Sequence, residues 1–430
     1  MIAWFLAAVL EAQPAPQQWA RLPACASASA PITAPCTLPL GLTPEQATLR
    51  IAGKAQVAWI EQDRLTMIAR PTVERWALLC CTVSTPLDPI AGTELAGVTV
   101  RVPRLNEAVL AISAFPAKDD TPLILRGQNA PPPPPTRAPP AARLIRTAID
   151  SAALGERRGI TLYLPPGLGP NDRPPIFYLA DNAAEAFAPI AEALIRAGRA
   201  GPVILVGIDA AKSSEGCLSP SCDRRGKEYK IDFNADGAAP DSDFGRHLRF
   251  VTDELIPYVE QRHGGPRDAA TRGIGGWSNG AHWALSVAGL RPDLFGRVLA
   301  LSSSARDAAG LGAKLGHAQL FAGAGVYEAD YLKQTIQTAR VAAGAGARIR
   351  TTSVVAGHER LAWRMMFAQA LPWLAPAAKR PFEKGALRLF HGGTGPLPHP
   401  APQRQYSMGG RVGERAGAAK CATSAFPNRR

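Results

Sequence analysis

The chain has 430 residues, 46% of them hydrophobic, and a formal net charge of +13. That length predicts two to three domains, and that apolar fraction belongs to a chain that buries a real core, not to a disordered one. No apolar run reaches the roughly 18 residues of a membrane-spanning helix, and eight of the thirteen net charges sit in residues 377–430, where ten Lys/Arg face two Asp/Glu. A charge gathered in a Gly/Pro-rich tail, with no basic face interleaved with aromatics, argues against nucleic-acid binding.

Residues 1–10 are apolar over the length of a signal-peptide core and run into a Pro/Gln-rich stretch, so residues 1–16 read as a leader, although no Lys or Arg precedes the apolar run. The expected location is periplasmic or secreted, with the cytoplasm as the alternative. Seven cysteines stand at 25, 36, 80, 81, 217, 222 and 421. Cys217 and Cys222 bracket a Ser-Pro turn within disulfide reach, which fits an oxidising compartment. No CxxC pair is matched to a second pair or to nearby histidines, so a zinc site is not expected.

Residues 17–128 hold short β-favouring runs at 48–51, 56–60, 65–68, 73–83, 97–102 and 108–115, a spacing that reads as a small all-β sandwich. A Pro-rich linker at 129–142 follows, its core at 131–140 spanning about 30 Å at about 3.1 Å per residue. From 143 to 376 strands and helices alternate: strands at 159–164 and 175–180, a helix at 183–197, a strand at 202–208 and a long amphipathic helix at 243–262. A strand at 271–275 then meets a helix from Asn279, and strands at 297–302, 319–322 and 348–355 are interleaved with helices at 329–343 and 361–374. That alternation predicts an α/β domain with a mostly parallel sheet covered on both faces. Residues 377–430 lose all periodicity and read as a basic disordered tail.

Gly276-Trp277-Ser278-Asn279-Gly280 fits the G-x-S-x-G nucleophile elbow, and it stands between a short strand and a helix, where that turn belongs. The chemistry needs a serine pushed out of a strained turn, with glycines beside it because a Cβ there strikes the neighbouring strand or helix. A serine hydroxyl also needs a base to take its proton and a carboxylate to hold that base. Downstream, His358 lies just past the last predicted strand. His282 sits one turn into the helix after Ser278, His317 precedes a strand, and His391 and His399 fall in the tail. Glu328 and Asp330 both emerge from the strand that begins at 319. Glu328 stands before the helix and can reach back, whereas Asp330 occupies an ordinary first-turn position, which favours Glu328. The oxyanion needs two backbone N–H groups: one from Asn279, the other from the Asp181-Asn182 loop.

These residues resemble the esterase-D and enterochelin-esterase group of α/β-hydrolases, which also holds feruloyl esterases, S-formylglutathione hydrolases and mycolyltransferases. The likeness covers about residues 143–375. It rests on the order and spacing of the segments at 162–166, 177–181, 203–209, 228–229, 254–257, 276–280, 291–295 and 322–328, then Gly357-His358 and Trp363. The resemblance implies an α/β-hydrolase fold with Ser278, Glu328 and His358 as its triad. Ala281 stands where a second glycine is common, and Asp181-Asn182 where His-Gly or Asp-Gly is common, which leaves the second oxyanion donor open. The enterochelin esterases tend to carry a β-rich N-terminal domain, with which residues 17–128 are compatible.

The expected activity is that of a serine carboxylic-ester hydrolase acting through an acyl-enzyme on a small-molecule or glycan-linked ester, of the siderophore, feruloyl or acetyl-sugar type. No metal or organic cofactor is required. The alternatives are acyl transfer by the same triad and an inert secreted binding protein. Because every candidate catalytic group follows the linker, the hydrolase part is expected to handle a small ester without the sandwich.

Overall fold

The computed structural model describes residues 21–70, 76–79, 83–115, 122–169, 171–213 and 222–377. The expected leader at 1–16, the tail beyond Ala377, His391, His399 and Cys217 lie outside them. Cys25 and Cys36 form a disulfide, and Cys222 is also disulfide-bonded. Among the described residues no helix is long and apolar enough to cross a membrane.

The first part is a two-sheet antiparallel sandwich. One sheet orders β1 (Cys36–Leu38), β7 (Ala96–Arg101), β3 (Arg64–Ala69) and β2 (Gln56–Glu61), with β6 (Asp88–Pro89) also on β7. The other orders β5 (Val83–Pro86), β4 (Trp76–Leu79), β8 (Val109–Phe115) and β9 (Leu123–Arg126). Alternating inward residues build the core: Leu65, Met67, Val98 and Val100 face Val83, Leu110, Ile112 and Ala114. Each of these Val, Leu, Ile and Met side chains, fully buried, contributes about 1.5–3 kcal/mol. Residues 48–51, expected as a strand, are instead the end of helix α1 (Pro44–Ile51). The reason is upstream. Thr43 caps the helix by accepting from the Gln46 N–H, Gln46 Oε1 accepts from the Thr43 N–H, and Pro44 pre-sets the first turn.

The second part is an eight-stranded sheet in the order β10 (Leu144–Ser151), β11 (Glu156–Tyr163), β13 (Ile204–Ile208), β12 (Ile176–Leu179), β14 (Arg272–Trp277), β15 (Arg297–Leu301), β16 (Gln319–Gly325), β17 (Arg348–Val354). The β10–β11 and β11–β13 pairings are antiparallel and every later pairing is parallel. One face is covered by α2 (Ala183–Arg196) and α9 (Arg360–Leu374), where the Phe187 and Phe367 rings stack at 4.0 Å. The other carries α6 (Asn279–Leu290), α8 (Ala329–Gly344) and the expected long helix at 243–262. That helix is continuous but not uniform: α4 (Asp243–Arg249) passes through a widened π turn at Phe250–Leu255 into α5 (Ile256–Arg262). Pro257 at the far end of the turn has no N–H to give to the preceding carbonyls, which favours the local widening. Two short helices, α3 (Arg224–Tyr229) and α7 (Ala308–Ala313), complete the layer.

The Pro-rich segment does not hold the two parts at arm's length. It lies against α2, with the Arg137 N–H donating to Pro189 O at 2.8 Å. The sandwich core includes Tyr327 and Val355 from the second part. The Val109 N–H donates to Val355 O at 2.9 Å and the Tyr327 hydroxyl to Pro103 O at 2.8 Å. Both contacts fall on loops at the C-terminal ends of β16 and β17.

Candidate active site

In an open parallel sheet, groups that do chemistry gather beyond the carboxyl ends of the strands. Trp277, Leu301, Gly323 and Thr352 lie in register across four neighbouring strands. The chain leaves each strand just past this row, and the candidate residues sit on those exits.

Ser278 links β14 to α6 at φ 55°, ψ −124°, a conformation that a non-glycine residue holds only when its surroundings impose it. Its N–H donates to Leu301 O at 2.9 Å, while its carbonyl accepts from Ala281 and His282 as the helix starts. The glycines on either side are required sterically. A Cβ on Gly276 would stand 2.7 Å from the Gly280 carbonyl, and one on Gly280 would stand 2.7 Å from Ala180 Cβ. Ala281, fully buried, is accommodated where a second glycine is common. Ser278 and Asn279 are half-buried, open enough to meet a ligand. The Asn279 N–H, first in the helix, has no acceptor within it, and its side-chain oxygen accepts from the Ser304 hydroxyl at 2.7 Å.

Glu328 and His358 are brought together. Glu328 Oε1 accepts from His358 Nδ1, and Oε2 accepts from the Gly325 N–H and, at 2.7 Å, from the Ser302 hydroxyl. Glu328 is buried and fully bonded, whereas Asp330 is exposed on the first turn of α8. With Nδ1 engaged, the other ring nitrogen of His358 is the one left to exchange a proton. The ring is held from two sides, by Tyr331 stacked at 4.3 Å and by Trp363 edge-on at 5.0 Å. Trp363 in turn stacks on Trp277 at 4.9 Å and donates from Nε1 to Ser302 Oγ at 2.9 Å. One indole therefore touches the residue before Ser278, the His358 ring, and the serine that bonds Glu328.

Asp181 and Asn182 turn the chain from β12 into α2 with left-handed φ of 56° and 50°. The Asp181 N–H donates to the Tyr229 hydroxyl at 3.1 Å, so it is spent inside the protein. The Asp181 carboxylate forms a forked ion pair with Arg225 at 2.6 and 2.7 Å. Burial opposes the Arg225 charge, but the Asp181 carboxylate outweighs it and raises the guanidinium above its ordinary value. Arg225 also lies over the Tyr229 ring at 5.3 Å.

The competing histidines are placed elsewhere. His282 is buried on α6, 3.9 Å from Asp232, and burial pushes its ring down to about 4. His317 Nε2 bonds Phe295 O at 3.0 Å. Ser302, Tyr331 and Arg225 escaped the sequence reading. The Ser302-Ser303-Ser304 run at the exit of a strand was the one available signal for the first of them.

Residues 151–311 match the family model described as "Putative esterase". None of the curated proteins matches the chain by sequence. Among solved structures, the fold is similar to the enterobactin esterase of Shigella flexneri crystallised in the presence of enterobactin, with a TM-score of 0.59 at 16% identity over 77% of this chain and 99% of that one. The ferric enterobactin esterase of Salmonella typhimurium gives a TM-score of 0.57 at 18% identity, covering 76% of this chain and 98% of that one. Those shares exceed what the hydrolase part alone supplies, so the likeness of fold takes in the sandwich. Residues 151–311 thus resemble a family of putative esterases, on a fold shared with the enterobactin esterases.

Proposed function

We propose that the protein is a serine carboxylic-ester hydrolase. Ser278 Oγ attacks the ester carbonyl, His358 takes its proton and later passes it to the leaving alcohol, and Glu328 holds His358 and stabilises the imidazolium that forms. Water then releases the acyl group by the same route. The Asn279 N–H is one oxyanion donor. Because the Asp181 N–H is committed to Tyr229, Asn182 is the proposed source of the second. The observation that carries this reading is the buried Glu328, its oxygens taken by His358, Ser302 and Gly325, set on exits from the same sheet as the strained Ser278.

The proposed substrate is a siderophore-type ester, supported by a fold likeness to enterobactin esterases that runs through both parts of the chain. Feruloyl and acetyl-sugar esters are the competing classes. We also propose export from the cytoplasm, which the Cys25–Cys36 disulfide supports. The test is hydrolysis of a catecholate trilactone, a feruloyl sugar and an acetylated xylan by wild type and Ser278→Ala, with products identified by mass spectrometry. The expected result is lactone opening as the largest kcat/KM, lost by several orders of magnitude in the variant. Cleavage of none of the three, or equal cleavage by the variant, would refute the proposal.

A further inference from the structure

We propose that Ser302 is a positioning residue for the Glu328–His358 pair, its hydroxyl aimed by the Trp363 indole so that it holds the carboxylate in the orientation that reaches His358. The inference rests on the esterase reading given above. Ser302 is fully buried at the exit of β15, with φ at 51°. Glycine takes such left-handed backbone at no steric cost, whereas a side chain there is strained. A serine kept where the backbone suits glycine points to the hydroxyl as the reason, and its two hydrogen bonds lead to the pair.

An indole Nε1–H can only donate, and that of Trp363 donates to Ser302 Oγ at 2.9 Å. The single hydroxyl proton is therefore left for Glu328 Oε2, 2.7 Å away. Glu328 Oε2 also accepts from the Gly325 N–H, but Gly325 ends the strand that leads into Glu328 and cannot fix that exit against its neighbour. Ser302 can, because its backbone is tied on both sides. Its N–H donates to Gly323 O on β16 at 2.7 Å, and Leu301 just before it accepts from the Ser278 N–H at 2.9 Å. The serine thus joins the strand exit that carries Ser278 to the one that carries Glu328. Trp363 closes the arrangement, since the ring that aims the hydroxyl also lies edge-on to His358 and stacks on Trp277. Ser302, Glu328 and Trp363 are all buried, so loss of the hydroxyl leaves a carboxylate oxygen one donor short and an indole N–H without its acceptor.

The test measures kcat and KM of the full chain on a soluble nitrophenyl ester for Ser302→Ala, Ser302→Gly, Trp363→Phe and the double variant of Ser302→Ala with Trp363→Phe. Circular dichroism and fluorophosphonate labelling of Ser278 are read alongside. Ser302→Ala and Ser302→Gly are each expected to lower kcat fivefold or more with KM within twofold, glycine doing no better although it suits the backbone. Trp363→Phe, which keeps a ring but loses the N–H, is expected to lower kcat at least threefold. The double variant is expected to stay within twofold of Ser302→Ala, because the indole N–H acts through the hydroxyl; independent losses would multiply. The proposal is overturned if a folded Ser302 variant loses less than fivefold in kcat, if the loss falls on KM instead, or if the losses multiply. Where neither Ser302 variant folds, Trp363→Phe decides: a loss of threefold or more in kcat supports the proposal, and a smaller one overturns it. A wild type that the probe does not label at all defeats the esterase reading instead.

Discussion

The two loops that flank Ser278 are held by opposite means. The turn from β12 into α2 is anchored by charge: Asp181 is forked onto Arg225, which lies on Tyr229, whose hydroxyl takes the Asp181 N–H. The turn from β17 into α9 is anchored by apolar contact, with Val355 and Tyr327 in the sandwich core. The first mount tolerates two left-handed residues in a row because a bidentate pair over-determines them. The difference predicts that one side fails when a charge is removed and the other when a charge is added.

The largest effect expected is not on either mount but on the group between them. Glu328→Gln should lower kcat by about 10⁴-fold with little change in KM, since only the orienting carboxylate stabilises the imidazolium. Asp330→Asn, on an exposed helical turn, should leave kcat unchanged. A crippling Asp330→Asn with a mild Glu328→Gln would reverse the assignment.

Removing charge from the first mount comes next. Asp181→Leu leaves the half-buried Arg225 without its partner and should cost about 1–3 kcal/mol in denaturant unfolding, whereas the double change with Arg225→Met should recover much of that. No recovery in the double variant would show that the loop does not depend on the pair. The charge-adding counterpart, Val355→Asp, should lower kcat while Asp181-loop stability is kept.

Two buried glutamates extend the contrast to pH. Burial opposes the Glu192 charge, but hydrogen bonds from Arg143, Arg196 and Tyr163 hold its carboxyl down to about 2. Its stabilisation is therefore complete above the ordinary value of 4.5 and disappears as the pH falls through about 2. Glu359 is shifted the other way, so its contribution is fully present below 4.5 and declines as the pH climbs through about 8. Unfolding midpoints against pH should show Glu192→Gln losing part of the acid limb and Glu359→Gln losing part of the alkaline one. The smallest effect is Tyr327→Phe, which removes one hydrogen bond to Pro103 and should cost about 1 kcal/mol.

The eight-stranded sheet was legible because its central strands are buried on both faces and read as short apolar runs between helical stretches. β10 was missed because it is an edge strand with mostly exposed side chains and no alternation. In the sandwich, Thr48 and Ile51 favour strands on their own, and a cap at Thr43 overrode them. At the site, Ser278 had its motif and His358 and Glu328 their loop positions. Ser302 had only its serine run, and Arg225 and Tyr331 had no signal, since their roles exist only where separate strand exits converge. The expectation that the second part would act alone took no account of its contacts with the sandwich. All the candidate catalytic groups do follow the linker, but the seating of Tyr327 and Val355 in the sandwich core is a tertiary fact. Deleting residues 21–140 is accordingly expected to impair even a small ester's turnover.

The most direct test of the central claim is stoichiometric labelling of the full chain by a fluorophosphonate, with the modified peptide mapped by mass spectrometry. The account predicts one equivalent of label on Ser278, incorporated far more slowly in His358→Ala and not at all in Ser278→Ala. Label on a different serine, or a folded wild type that takes up none, would contradict it.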